Sequence, residues 1–205
     1  SDAKMYDEAI VDAANAQELG YSSVWMVEHH FSDYYPTPNP LMFLSHLAAA
    51  CPGLGLGTAV MVLPWYDPLL FAEDVEMLRT LAIGRLDFGM GRGTAKLEYA
   101  AMRVPMDEAR DRFGECWEVT QLALRGEPFT YEGQFVSIDK PITMRPHIDP
   151  SREINFYGAI GSPASAEIMA DLGLTPLSLA QFPDYMLVKI LDKWRARAGQ
   201  RGMNT

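Results

Sequence analysis

Short apolar runs alternate with amphipathic helical patterns along most of this chain. The runs are rich in branched and aromatic residues, whereas the segments between them place apolar residues three and four positions apart. This alternation is typical of repeated strand–helix units around a parallel sheet, so we predict an α/β fold. The predicted strands span residues 23–27, 56–63, 85–90, 153–158 and 176–179, and the predicted helices span 5–19, 40–50, 67–84, 108–124, 163–172 and a last segment around 186–194.

The number of strands indicates the expected architecture. A closed (β/α)8 TIM barrel has eight strands and typically about 250 residues, whereas five such strands are predicted in these 205 residues. We therefore expect residues 1–205 to form a single barrel domain that lacks one strand before Ser1 and two after Thr205. Residues 129–131 and 135–138, joined through Glu132-Gly133, are predicted to form a separate small hairpin.

Composition excludes several classes of protein. The formal net charge of −10 would repel nucleic-acid phosphates, and no apolar stretch approaches the length of a membrane span. The two cysteines, Cys51 and Cys116, have neither zinc-site spacing nor a disulfide framework. We expect both to be buried free thiols in a protein of the reducing cytoplasm.

Glu28, His29 and His30 come directly after the first predicted strand. In a barrel of alternating strands and helices, chemistry takes place at the carboxyl ends of the strands. Two imidazoles and a carboxylate there form a candidate acid–base cluster, with structural histidines as the alternative. Adjacent residues on a strand point to opposite faces, so the two rings are not expected to converge on a metal ion.

Two further motifs lie at predicted strand ends. Gly91-Arg92-Gly93 places a guanidinium beside freed backbone amides, which suits a phosphate, although the motif taken alone favours a tight turn with a solvated arginine. Ser162 and Ser165 open a helix, where they form either a simple cap or an anion site. Because all of these strand ends belong to one rim, Arg92 and the two serines could close on one phosphate.

Motifs with a consistent order and spacing run through nearly the whole chain. They occupy residues 25–31, 57–64, 67–68, 72–74, 84–89, 91–93, 127–129, 131–133, 162 with 165, and 172–174. As an ordered set they resemble the bacterial luciferase-like flavin monooxygenases. The resemblance implies a (β/α)8 barrel that binds reduced flavin mononucleotide (FMN) at the carboxyl-terminal rim.

The resemblance also implies roles for individual residues. His29 matches the acid–base histidine beside the flavin, and its neighbour His30 is assigned to the same catalytic pair. The implied cofactor-binding positions are Glu28, Ala59, Val60, Arg92, Ser162 and Ser165, with a non-proline cis peptide expected between Ala59 and Val60. No metal is implied. The stretch from residue 94 to 105 is expected to be a loop of the substrate pocket.

The implied reaction consumes FMNH2 and O2. Reduced flavin from a separate reductase reacts with oxygen to a peroxyflavin, which transfers one oxygen atom to a small organic substrate. The family also implies a homodimer. Three alternatives stay open: an oxidoreductase that uses the deazaflavin coenzyme F420 on the same scaffold, a non-catalytic flavin-binding or partner subunit, and a metal-dependent barrel hydrolase.

Overall fold

The structure, a computed structural model, describes residues 1–147, 149 and 151–204. Its helices and strands follow one another in the alternating order that the sequence predicts. In chain order they are α1 (Asp2–Glu18), β1 (Ser23–Met26), α2 (Pro40–Ala50), β2 (Gly55–Val62), α3 (Pro68–Leu81), β3 (Leu86–Gly91), α4 (Lys96–Met102), α5 (Ala109–Ala123), β4 (Phe129–Glu132), β5 (Ser137–Ile142), β6 (Ile154–Ile160), α6 (Pro163–Asp171), β7 (Thr175–Ser178) and α7 (Asp184–Gln200). Short 3-10 turns span Leu63–Trp65 and Met106–Glu108.

Five parallel strands form the central sheet in the order β1-β2-β3-β6-β7. Their registers pair Trp25 with Gly57, Thr58 with Phe88, and Gly158 with Pro176. The predicted α/β class and all five predicted strands are therefore confirmed. Within the described residues the sheet stays open, with β1 and β7 at its two edges, so the barrel is not closed.

Local sequence explains where the helices begin. Asp67 accepts hydrogen bonds from the amides of Leu69 and Leu70 at 2.9 and 3.1 Å, and Pro68 occupies the first helical turn of α3. These side-chain bonds satisfy amide donors that have no partner inside the helix. The same arrangement, a polar N-cap followed by proline, starts α2 at Asn39. Each cap ends the preceding loop at a defined residue, which positions the strand ends relative to one another.

The hydrophobic core lies between the sheet and the helices that cover it. Leu44, Phe71, Val75, Phe88 and Phe113 are almost completely buried and come from α2, α3, β3 and α5. On β3, Gly89 allows the strands to approach closely, because a Cβ there would lie 2.2 Å from the carbonyl oxygen of Thr58. The core therefore fixes the positions of the strands whose ends carry the candidate site.

The predicted hairpin exists, but its second strand is displaced. β5 begins at Ser137, two residues after the predicted start, because Tyr131 pairs with Ile138 and Phe129 with Ile142. The turn is stabilised by a residue of another element. The carboxylate of Glu115 on α5 accepts hydrogen bonds from the amides of Gln134, Phe135 and Val136 at 2.7–2.9 Å. This long-range contact, which no local pattern encodes, sets the register of the hairpin.

Two smaller expectations are also settled by the structure. Cys51 and Cys116 are both buried free thiols, as predicted. In the part of the chain that the structure describes, no helix combines the length and the apolar character needed to cross a membrane.

Candidate functional site

A cavity of about 660 Å³ opens at the carboxyl ends of the parallel strands. It is bounded by the strand ends, by the loop and helix that follow β3, and by the first turns of α5 and α6. Apolar side chains form most of its wall. The apolar wall consists of Val60, Val62, Phe113, Ile160, Ile168, Met169, Leu177, Leu179 and Phe182.

The two adjacent histidines have different surroundings. His29 lines the cavity, with 31% of its side chain exposed, and its Nδ1 lies 3.3 Å from Oε1 of Glu98. The side chain of His30 is 9% exposed, and its Nε2 lies 2.9 Å from Oε1 of Glu28. His30 is not among the residues that line the cavity. Of the two rings, His29 is therefore the one that lines the cavity.

Glu28 is a buried carboxylate at the end of β1, and it also contacts the cavity. One of its oxygens pairs with His30, and the other accepts the backbone amide of Val62 at 2.8 Å. Burial, reinforced by the nearby carboxylate of Glu28, raises the pKa of the Tyr66 hydroxyl far above its ordinary range. Glu28 therefore ties β1 to the end of β2 beneath the site.

The peptide bond between Ala59 and Val60 is cis, as the resemblance implied. Both residues line the cavity, and they coincide with a register shift between β2 and β3 at Thr58 and Met61. Gly91 faces them from β3, where a Cβ would lie 2.7 Å from Cγ2 of Val60. Gly91 therefore packs against Val60 in the lining of the cavity.

Arg92, Ser162 and Ser165 all line this cavity. The serines also cap α6: the Ser162 hydroxyl accepts the Ser165 amide at 3.2 Å, and the Ser165 hydroxyl accepts the amides of Gly161 and Ser162 at 3.0 Å. The capping interpretation and the anion-site interpretation are therefore compatible, since the same helix terminus faces the cavity.

Sequence reasoning missed Arg110, which lines the same cavity from the first turn of α5. None of the ion pairs formed within the described part of the chain involves Arg92 or Arg110. Two guanidinium groups without a carboxylate partner, beside a helix N-terminus, match the charge of a phosphate monoester. An arginine on an amphipathic helix ordinarily indicates a solvated face. Arg110 is therefore recognised as a site residue only because it lines the same cavity as Arg92.

Helix α4 corrects the expectation of a plain loop between residues 94 and 105. It buries Glu98 and Tyr99, and it ends at Arg103 in the left-handed conformation with a φ of 60°. Tyr99 donates its hydroxyl hydrogen bond to the carbonyl of Arg92. Burial raises the pKa of Tyr99 to about 12, an effect that the charge of Arg92 opposes. The helix therefore contacts both His29, through Glu98, and the segment that bears Arg92, through Tyr99.

The cavity fits a flavin mononucleotide in its distribution of chemistry. Guanidinium groups without a carboxylate partner and the N-terminus of α6 suit the phosphate, and the apolar wall suits a planar ring system. Among residues 1–147, 149 and 151–204, no three His, Cys, Asp or Glu side chains are grouped so as to hold a metal ion.

Comparison with known sequences agrees with this site. A family model described as "Luciferase-like monooxygenase" matches residues 2–205. The uncharacterized protein y4wF of Sinorhizobium fredii is 30% identical over 198 residues, which cover 96% of this chain and 57% of that protein. The oxygenase component of the flavin-dependent trigonelline monooxygenase of Acinetobacter baylyi is 30% identical over 183 residues, covering 86% of this chain and 50% of that protein. The chain thus spans less than three fifths of the length of these curated relatives.

Solved structures show the same fold. Monooxygenase RslO1 from Streptomyces bottropensis superposes with a TM-score of 0.91 at 32% identity, over 100% of this chain and 63% of that one. Two structures at 19% identity show the fold alone. The FMN complex of the oxygenating constituent of 3,6-diketocamphane monooxygenase from Pseudomonas putida has a TM-score of 0.85 and covers 100% and 60% of the two chains. An F420-dependent secondary alcohol dehydrogenase has a TM-score of 0.83 and covers 97% and 62%.

The family match extends from the first helix to the last described residues, and the TIM-barrel architecture of the solved relatives includes every strand of the sheet described above. The chain belongs to the luciferase-like monooxygenase family, whose members include flavin-dependent monooxygenases.

Proposed function

We propose that this chain carries the flavin site of a monooxygenase that uses FMNH2 and O2 to oxygenate a small organic substrate. The observation that carries the proposal is the lining of one largely apolar cavity, which includes two arginines without a carboxylate partner, the N-terminus of α6 and His29. Bound reduced flavin would supply the electrons that activate oxygen for transfer of one atom to the substrate.

Arg92, Arg110, Ser162 and Ser165 would hold the phosphate. The two guanidinium groups offer charge-assisted hydrogen bonds, and the N-terminus of α6, which the two serines cap, adds the positive end of the helix dipole. Because these groups come from β3, α5 and α6, the phosphate would anchor the cofactor across three elements of the fold. Anchoring of this kind fixes where the ring system lies relative to His29.

Ala59, Val60 and the surrounding apolar side chains would receive the flavin ring. Their role is to exclude water and to keep the ring against the ends of β2 and β3. Glu28 would act indirectly, because its oxygens hold the Val62 amide and His30 rather than a ligand.

His29 would exchange the proton at the reacting end of the cavity. Its Nδ1 faces Glu98, which leaves Nε2 as the nitrogen available to a ligand. An imidazole suits this task because it donates and accepts protons near neutral pH. His30, held by Glu28 away from the cavity, would support the position of His29 rather than take part directly.

The second candidate is an F420-dependent oxidoreductase that moves a hydride on the same scaffold. An F420-dependent dehydrogenase shares this fold, and an apolar cavity with a phosphate end would also receive a deazaflavin. A non-catalytic flavin-binding subunit is the outcome to consider if either cofactor binds without turnover.

Anaerobic titration of the purified protein with FMNH2, followed by admission of oxygen, tests the proposal. Saturable binding, and then a long-lived absorbance change distinct from that of oxidised flavin, supports a monooxygenase. Failure to bind FMNH2 together with saturable binding of reduced F420 would overturn it in favour of the deazaflavin enzyme. Failure to bind either cofactor would overturn both.

Three further attributes belong to the proposal. The trigonelline relative is named as an oxygenase component, which supports a separate flavin reductase as the source of FMNH2. Free buried thiols support a cytoplasmic location.

Leu70, Met77 and Leu81 form an exposed apolar stripe on α3, which supports a homodimer. Light scattering of the purified protein tests the dimer, because substitution of Met77 by lysine should then yield monomers.

A further inference from the structure

We propose that Glu98 is a positioning residue that holds His29 in the Nδ1–H tautomer and so makes Nε2 the proton-exchanging nitrogen. The inference rests on the proposed function, in which His29 exchanges a proton beside the flavin. Glu98 was not identified from the sequence, because a single glutamate outside any motif ordinarily indicates a solvated side chain.

The burial of Glu98 requires an explanation. Its exposed fraction is 5%, although its neighbours Lys96 and Leu97 on α4 are exposed. Burying a carboxylate is costly unless hydrogen bonds compensate for the lost hydration. The compensation comes from the two histidines: Oε1 accepts the backbone amide of His30 at 2.9 Å and lies 3.3 Å from Nδ1 of His29.

The tautomer follows from the chemistry of these partners. The His30 amide can only donate, so it orients a lone pair of Oε1 toward the end of β1. An ionised carboxylate only accepts, and a neutral imidazole has one donor nitrogen and one acceptor nitrogen. Nδ1 of His29 must therefore carry the hydrogen. Nε2, for which the described residues offer no hydrogen-bond partner, keeps its lone pair for a ligand.

The position of Glu98 is itself stabilised by the contact of the next residue with the segment that bears Arg92. Tyr99, the next residue on α4, is buried and donates its hydroxyl hydrogen bond to the carbonyl of Arg92. One short helix thus carries both the contact to His29 and the contact to the loop that bears Arg92. This arrangement places the orienting carboxylate on a packed element rather than on a free loop, as preorganisation requires.

The tautomer can be read directly by ¹⁵N NMR of protein labelled in its histidine rings, without any cofactor. The chain has four histidines, so the ring signals can be assigned by single substitutions. At a pH where the His29 ring is neutral, we expect a protonated Nδ1 and an unprotonated Nε2. In Glu98→Ala we expect this preference to be lost, with Nε2–H appearing in its place.

Two further variants separate orientation from folding. Glu98→Gln keeps a carbonyl oxygen that can accept from His30 and His29, so the Nδ1–H form should be retained. Leu97→Gln is the matched control on the exposed side of α4, and it should leave the His29 signals unchanged. If Glu98→Ala does not fold, the unsubstituted protein decides, because an Nε2–H form of His29 there overturns the proposal by itself.

The outcomes distinguish this inference from the proposed function. An Nε2–H tautomer in the unsubstituted protein, or an unchanged tautomer in Glu98→Ala, overturns the role of Glu98 whatever the cofactor. Absence of flavin binding overturns the proposed function while the NMR result on Glu98 still stands.

Discussion

Glu28 and His30 form a buried pair in which a carboxylate oxygen lies 2.9 Å from Nε2 of the ring. The residue between them, His29, lines the cavity, whereas His30 does not. Two neighbouring imidazoles therefore have separate tasks. One belongs to the structure of the strand end, and the other is available to a ligand.

Substitution of the two histidines should give different losses. His29→Ala should lower turnover roughly 10²- to 10⁴-fold, the usual contribution of a general acid–base group, and should lower the free energy of unfolding less than His30→Ala does, because Glu98 keeps the His30 amide as a partner. His30→Ala leaves a buried Glu28 oxygen without its partner, so the free energy of unfolding should fall by about 1–3 kcal/mol. Urea unfolding and turnover in a screen of aldehydes and ketones provide the two measurements. Unchanged turnover in His29→Ala would contradict its assignment as the proton-exchanging group.

Removal of either arginine should weaken binding of the phosphate end of the cofactor. Arg92→Ala and Arg110→Ala should each raise the Kd for FMNH2 about 10- to 100-fold, because each removes charge-assisted hydrogen bonds worth roughly 1.5–3 kcal/mol. Riboflavin, which has no phosphate, should bind all forms with similar affinity. The matched control is Arg125→Ala, an arginine outside this cavity. Equal losses for riboflavin and FMNH2 would show that the arginines do not contact the phosphate.

Two glycines offer a test of packing. In Gly89→Ala the new Cβ would lie 2.2 Å from the Thr58 carbonyl oxygen, so the free energy of unfolding should fall by about 1–3 kcal/mol. Gly114 lies within α5, and a Cβ added there would meet no atom within 4 Å, so Gly114→Ala should stabilise the protein by about 0.5–1 kcal/mol. Chemical denaturation measures both. Equal effects of the two substitutions would be inconsistent with the close approach of β2 and β3.

Cys116 should resist alkylation in the folded protein. Burial raises the pKa of its thiol from 9.0 to about 12. The folded state therefore keeps its proton to higher pH than the unfolded state. The corresponding stability is fully present below pH 9 and is lost as the pH rises from 9 toward 12.

Mass spectrometry after treatment with iodoacetamide at about pH 8, just below the ordinary thiol pKa, checks the reactivity of Cys116. We expect slow modification of Cys116 in native protein and rapid modification in urea, where the thiol is exposed. Comparable rates in the two states would show that the thiol is accessible in the fold.

The sequence predicted the secondary structure well where periodicity is strong. The five parallel strands are apolar runs, and helices such as α3 begin at residues whose side chains cap the first turn. Helix α4 was missed because seven residues are too few to establish a helical period. The start of β5 was displaced because Glu115, on another element, sets the register of the hairpin.

The same division applies to the site. His29, Arg92, Ser162 and Ser165 could be identified because each lies at a strand end or helix start that local sequence marks. Arg110 and Glu98 could not, since both lie on helices where a charged residue normally faces solvent. Their roles depend on partners far away in the chain: Glu98 meets His29 across 69 positions.

By itself, the sequence determined the α/β class, the order of the strands along the chain and the family motifs, because apolar periodicity and capping residues act over a few neighbouring positions. Tertiary structure decided which of two adjacent histidines lines the cavity, which buried carboxylate contacts it, and that a second arginine lines the same cavity as Arg92. These features arise from contacts between elements distant in sequence, whose energies depend on packing that no local pattern records.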